Sequence, residues 1–371
     1  LPNGIERHIK LNGIQTNQTR KLNSMPRKNY TISLLPGDGI GPEVVASACE
    51  VLESLEKIDG APSFSFVKQR VGADVFEETG ESITDEIISA CKNADAVFVG
   101  AMDVARLPLE ARQPLQELRR RLEVGASIRP ARTFPGVEAR CSHIDTVVVR
   151  EVTEGMYSGI EYSAGPDAAC SVRLITRKAS ARTARIAFTE ASKRRGKVTA
   201  VHKLGALKLT DSLFLEACRE VGEAFPQIEF ETRNIDACAL EMIRHPEEFD
   251  VILATNTFGD ILSDVAAGLA CGLGLAPSGC IGERWAYFEP VHGTAPDIAG
   301  KGIANPLAAI LSAAMMMRHL DEEQSANAIE TAVAEILANG GPRTADLGGK
   351  ATTVDVTKAI IANILNSHTR R

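Results

Sequence analysis

Asp260 and Asp264 stand four residues apart in NTFGDILSD (256–264), a segment whose Ile261, Leu262, Val265, Ala266 and Leu269 follow a helical apolar pattern. That spacing stacks both carboxylates on one helix face, one turn apart. Two acids so placed repel each other unless a cation lies between them. A hard divalent ion such as Mg²⁺ or Mn²⁺ suits the position, because one or two carboxylates plus substrate oxygens hold it. The plainer alternative is a pair of acids serving the positive end of a helix dipole. Arginines of the basic helix RQPLQELRRRL (112–122), Arg129 and Arg150 fall near the ends of expected helices or strands, and Tyr157 follows in the glycine-flanked turn EGMYSG. Guanidinium groups bind carboxylates bidentately, so the grouping reads as a clamp for an organic acid. Lys203 closes an expected strand. It is either a surface residue or, beside arginines and a metal, a lysine whose pKa falls far enough for it to serve as a base.

The elements that would position these residues alternate. An apolar run at 249–254 reads as a strand, and Asn256 and Thr257 offer N-cap oxygens to the helix after it. Strands are expected at 30–35, 63–69, 96–99, 145–150, 197–202 and 228–232, with Arg129 extended because Pro130 follows it. Helices are expected at 42–58, 84–92, 112–122, 179–194, 211–221 and 236–245. Such alternation implies an α/β fold with a mostly parallel sheet between helices. The turn PGDGIG (36–41) has G-x-G-x-G spacing, which is not the dinucleotide fingerprint. Residues 272–282 read as a glycine-rich connection, 285–289 as a strand, 289–306 as a structured loop, and 306–319, 325–338 and 354–366 as closing helices.

A chain of 371 residues suits roughly two domains. Its net charge of -7 argues against nucleic acid as a partner, and no apolar run approaches the ~18 residues of a membrane span. Eight cysteines without a C-x-x-C pair read as reduced thiols of an intracellular protein, with no structural zinc. Residues 1–28 are basic and polar, and read as an extension with the native start at Met25 or as the remnant of an organellar transit peptide. The expected compartment is the cytoplasm, or an organellar matrix in the second case.

Six stretches, LLPGDGIGPEVV (34–45), IRPAR (128–132), VVREVTEGMYSGIE (148–161), VHK (201–203), NTFGDILSD (256–264) and VHGTAPDIAGKGIANP (291–306), carry a resemblance. In order and content the chain resembles the β-decarboxylating dehydrogenases, the family of isopropylmalate, isocitrate, homoisocitrate and tartrate dehydrogenases. The resemblance implies an isopropylmalate dehydrogenase-like, non-Rossmann α/β fold with parallel or mixed sheets. It implies a large cofactor domain (29–124 with 271–371), a small domain for dimerisation and metal binding (125–270), and a homodimer with shared active sites. By the same resemblance Asp260 and Asp264, with Asp236 from a second copy, would hold Mg²⁺ or Mn²⁺. Arg119, Arg129 and Arg150 would clamp the carboxylates of a 2-hydroxy di- or tricarboxylate. Lys203, again from the second copy, would act as base and Tyr157 as acid. Glu289, His292, Gly293, Thr294, Ala295, Pro296, Asp297, Ile298 and Asn305 would bind the cofactor. Asp297 indicates NAD, since a carboxylate suits free ribose hydroxyls and repels a 2′-phosphate.

Two features depart from the family pattern. Gly205 stands where an asparagine usually follows the catalytic lysine. Arg112, Leu115 and Gln116, which would face the substrate's variable group, match neither an apolar pocket nor a familiar anion site. The implied reaction is oxidative decarboxylation of a 3-substituted malate. A non-catalytic regulatory subunit and a tartrate-type hydroxy-acid dehydrogenase are the alternatives.

Overall fold

The computed structural model describes residues 27–108, 111–141 and 143–369. The expectations about residues 1–26, Met25 included, lie outside them. The β-branched and apolar runs become strands: β1 (Asn29–Gly37), β2 (Ser63–Lys68), β3 (Ala96–Ala101), β4 (Val124–Arg132), β5 (Asp145–Glu151), β6 (Glu161–Ser163), β7 (Ala169–Ser171), β8 (Lys197–His202), β9 (Glu229–Asn234), β10 (Val251–Ala254), β11 (Pro277–Gly282) and β12 (Ala286–Pro290). All but β6 and β7 form one mixed sheet in the order β2-β1-β3-β12-β11-β4-β5-β10-β8-β9. Its two wings are parallel, whereas the contacts β12–β11, β11–β4 and β4–β5 in the middle are antiparallel. Strands β6 and β7 pair apart as an antiparallel arm.

Helices cover both faces, as fully buried strands such as AVFVGA and VILA require. The helix Asn256–Ala270 packs its Leu262, Ala266 and Ala270 on Val148 and Ile252, while Arg177–Ser192 packs Ala184, Ala187 and Phe188 on Val147 and Val149 from the other side. Odd and even residues of β5 thus serve opposite faces, as a pleated strand demands. Four hydrophobic clusters fill the interior. Apart from Phe134 and Val152, the buried members of two come from 32–124 and 275–364, and those of the other two come from 126–270. All eight cysteines are unpaired.

Three expectations need correction. Residues 277–282 are strand β11, not an irregular connection. The small residues of PSGCIG hid it, yet smallness is what the sheet needs there, because a Cβ on Gly279 would lie 3.0 Å from the Phe288 ring. The helix expected at 112–122 is Pro114–Arg121, so Arg112 and Gln113 precede it; Pro114 sets the first turn and Gln113 is extended. Asn256 is not an N-cap: Thr255 holds the cap position, and Asn256 is the first helical residue with its side chain turned inward.

Candidate active site

Arg150, near the end of β5, is 2% exposed and held from three sides. Its Nε and Nη2 donate to Asn256 Oδ1 at 3.1 and 2.8 Å, and its Nη1 donates to Asp260 Oδ1. Close approach of helix and strand makes this possible, since a Cβ on Gly259 would stand 2.7 Å from the Arg150 Cβ. Arg129 comes from β4. Its Nη1 donates to Asp260 Oδ1 (3.2 Å) and Ser263 Oγ (2.8 Å), its Nε donates to Ser127 Oγ (3.2 Å), and Asp264 lies 4.0 Å away. Arg119, from the helix Pro114–Arg121, donates through Nε to Tyr287 Oη at 2.8 Å and through Nη2 to Glu289 Oε1 at 3.4 Å. Burial, with the charges of Arg129 and Arg119, pulls the Arg150 guanidinium down to about 10. Three cations crowded this way favour an anion among them.

Tyr157 sits in the turn Met156–Ser158, its ring under the Arg150 guanidinium at 5.2 Å and its hydroxyl donating to Asp260 Oδ2 at 2.7 Å. Burial and the bond to Asp260 push the Tyr157 phenol up, so it keeps its proton at neutral pH. For Asp260 burial acts upward, but Arg150, the Tyr157 bond, Arg129 and Arg119 outweigh it and hold the carboxyl low. Asp264 shifts the other way, raised by burial and by the Asp260 charge. Asp260 is therefore the ionised anchor. Asp264 is 56% exposed at the side chain and is the freer donor.

Lys203 and Asp236 form a separate pair, Nζ to Oδ2, with 34% and 67% of their side chains exposed. The Lys203 backbone N–H donates to Asp211 Oδ2 at 2.6 Å, and fully buried Asp211 is itself paired with Arg173 at 2.7 Å. Lys203 is thus mounted on a buried ion pair. No group of three His, Cys, Asp or Glu side chains among the described residues could hold a metal, so Asp236 is not gathered with Asp260 and Asp264 within one chain. Two carboxylates on one helix face remain, a hard-oxygen donor pair that fits Mg²⁺ or Mn²⁺ once further oxygens join.

Of the residues expected to read the substituent, Leu115 is part-buried against an apolar cluster and Gln116 is part-buried. Arg112 is 72% exposed and bonds Glu117 at 3.1 Å, not the arginine cluster. Gly205 is exposed with open space around it.

The loop expected to take the cofactor docks on the PGDGIG turn, where Ile40 N–H donates to the Thr294 carbonyl at 2.9 Å. Burial pulls His292 down, its Nδ1 lies 3.0 Å from the Gly293 carbonyl, and its buried Nε2 has no partner. Gly293, Pro296 and Asp297 are exposed, whereas Ala295 and Ile298 pack on a core cluster. Asn305 bonds Asp346 at 2.8 Å and accepts from the Leu307 N–H. An orphaned imidazole nitrogen and the exposed carboxylate of Asp297 in one loop fit a ligand with polar edges, such as a nucleotide. Glu289 faces Arg119 and Tyr287.

A family model described as isocitrate/isopropylmalate dehydrogenase matches residues 31–361. The chain belongs to that family. It is 45% identical to a 3-isopropylmalate dehydrogenase of Archaeoglobus fulgidus over 89% of this chain and 98% of the relative. It is also 45% identical to an isocitrate/homoisocitrate dehydrogenase of Thermus thermophilus, over 90% and 98%. The solved isocitrate dehydrogenase of Methylococcus capsulatus superposes with a TM-score of 0.85 at 41% identity, covering 90% of this chain and 99% of that one. The fold expected from the resemblance, a mixed α/β architecture of this family, is the fold found.

Asn256, Ser127, Ser263, Tyr287 and Asp211 escaped the sequence reading. Asn256 and Ser263 stood in the motif NTFGDILSD, where the amide read as a cap and the serine went unremarked between the two aspartates. The others are polar residues in apolar surroundings, a signal that emerges only when the strands are paired.

Proposed function

We propose that this isocitrate/isopropylmalate-type dehydrogenase oxidatively decarboxylates a 3-substituted malate, using NAD and Mg²⁺ or Mn²⁺. Oxidative decarboxylation is the family's reaction. The observation that carries the finer reading is the convergence of Arg119, Arg129, Arg150 and Tyr157 around Asp260. When bound, NAD supplies a hydride acceptor and the divalent ion a Lewis acid for the C2 oxygen and adjacent carboxylate. The three arginines bind and orient the substrate carboxylates. Lys203, as the free amine, takes the C2 hydroxyl proton, through water, as hydride leaves C2, and Asp236 holds the ammonium that results. The 3-carboxylate of the resulting 2-oxo acid departs as CO₂, its bonding pair passing to C3. Tyr157, kept protonated, then delivers a proton to C3.

In this reading Lys203 and Asp236 of a second copy complete each site. Exposed Leu240, Ile243 and Ile261 on two helices, and Ile160, Tyr162 and Val172 on the β6–β7 arm, support a second copy by leaving apolar surface uncovered. The segregation of the cores supports two domains with boundaries near 124 and 271. Exposed Asp297 favours NAD over a 2′-phosphorylated cofactor. The substrate is a small hydroxy acid; Leu115 and Gln116 leave an alkyl, aryl or polar substituent open.

The test is NADH formation by the purified protein with Mg²⁺ or Mn²⁺ on malate, tartrate, isocitrate, homoisocitrate, isopropylmalate and an aryl-substituted malate, with CO₂ measured alongside. Turnover of one acid with one CO₂ per NADH, abolished in Lys203→Ala, is the expected result. NADH without CO₂ would refute decarboxylation, and silence across the panel would refute the substrate class.

A further inference from the structure

A cavity of about 680 Å³ opens on the sheet face opposite the arginines, within the ~300–1,000 Å³ range of small-molecule sites. Alternation along β4 sends Arg129 forward and Ile128, Pro130 and Arg132 backward, and those three line the cavity with Ile186, Phe288 and Leu311. The floor is apolar. At the rim three of the cations are already spent: Arg194 bonds Asp145 and Asp250, Arg318 bonds Glu330, and Lys193 pairs with Glu190. Arg132 and Arg185 have no carboxylate partner among the described residues, and Arg132 lies over the Phe134 ring at 4.7 Å. Two unspent guanidinium groups above an apolar floor complement one kind of small molecule, an apolar body with a single carboxylate.

We propose that this rear cavity binds an amphipathic carboxylate. Its hydrocarbon part lies on Ile128, Phe288 and Leu311, and its carboxylate meets Arg132 and Arg185. Such a ligand touches both the helix Arg177–Ser192 and the helix Leu307–His319, which belong to different cores, and it sits directly behind the strand that carries Arg129. The site does not depend on which acid the enzyme oxidises.

Calorimetric titration of the full chain with sodium octanoate, and with octylammonium chloride as the opposite-charge control, tests the proposal. Octanoate should bind saturably and at least tenfold tighter than octylammonium. Both rim arginines are exposed, so Arg132→Glu with Arg185→Glu should fold normally and weaken octanoate at least tenfold. Ile186→Trp, which fills the cavity, should do the same. The active-site variant Arg150→Lys should bind octanoate unchanged, separating the rear cavity from the front clamp. Absence of saturable binding, equal affinity for the two amphiphiles, full binding in the double variant, or loss in Arg150→Lys would each overturn the proposal.

Discussion

Asn256 and Thr257 are neighbours in the first turn of one helix, and the structure assigns them opposite fates on truncation. Asn256 is fully buried, and its Oδ1 accepts from both Nε and Nη2 of Arg150. Its Nδ2 donates to the Glu154 carbonyl at 3.0 Å. A hydrogen bond to a charged group contributes about 1.5–3 kcal/mol, and one partner's loss leaves the other buried and unpaired. Because the two arginine bonds share an oxygen, they count for less than their sum, about 3 kcal/mol together with the Glu154 bond. Asn256→Ala should therefore destabilise the protein by about 3 kcal/mol and raise the KM for the acid by freeing Arg150. The Thr257 Oγ1 is buried with no partner, so Thr257→Ala should be neutral or stabilise by up to about 1 kcal/mol. Urea unfolding at one fixed protein concentration, with KM measured beside it, compares the two. Were these residues helix caps, each would lose about 1 kcal/mol. Equal losses in both variants, or an Asn256→Ala protein within about 0.5 kcal/mol of the parent, would refute the account of Arg150 anchoring.

Tyr287→Phe removes the acceptor of Arg119 Nε while Glu289 still holds Nη2, so KM should rise about tenfold, or ~1.4 kcal/mol, with kcat nearly unchanged. A larger fall in kcat than in affinity would contradict a positioning role. Asp264→Asn should abolish Mn²⁺ binding, followed by electron paramagnetic resonance, without lowering the unfolding temperature of the metal-free protein, since burial and Asp260 already disfavour its charge. Burial pushes Glu154 up to about 7. The folded state then holds more protons than the unfolded one between about pH 4.5 and 7, so stability falls as pH rises through that window. After a discount for screening the loss is about 1–2 kcal/mol, and Glu154→Gln should flatten it in denaturation curves taken across that range. Asp297→Lys should weaken NAD binding by titration; an unchanged affinity would remove the basis for choosing NAD.

The parts of this molecule that repeat with a period were legible in sequence. Val147 to Val149 and Val251 to Leu253 announce strands through their branched side chains, and Asp260 with Asp264 announces a shared helix face. Strand β11 was not legible because Gly279 and Ser278 are small for a reason that lies elsewhere in the chain, in the Phe288 ring and in Ser127, whose hydroxyl is 2.8 Å from that of Ser278. The role of Asn256 was hidden likewise, since an amide after a strand serves equally as a cap or as a buried acceptor until Arg150 is brought against it. Arg119, Arg129 and Arg150 could be named as a group, but what holds each in place could not.

The middle of the sheet has a consequence for how this enzyme can change its preferences. Ser127 pairs with Arg150 and Arg129 with Val148 across β4 and β5, so the two arginines are diagonal neighbours. Their spacing is that of the backbone lattice, about 7–8 Å, and hydrogen bonds on both sides of each strand lock it. The sheet behaves as a ruler with fixed graduations. Arg119, by contrast, rides with Leu115 and Gln116 on a short helix that no ladder holds in register. In the proposed clamp, an acid of different length or bulk would be admitted by shifting or rewriting that helix, while the two strand-borne arginines would keep the same grip on each substrate.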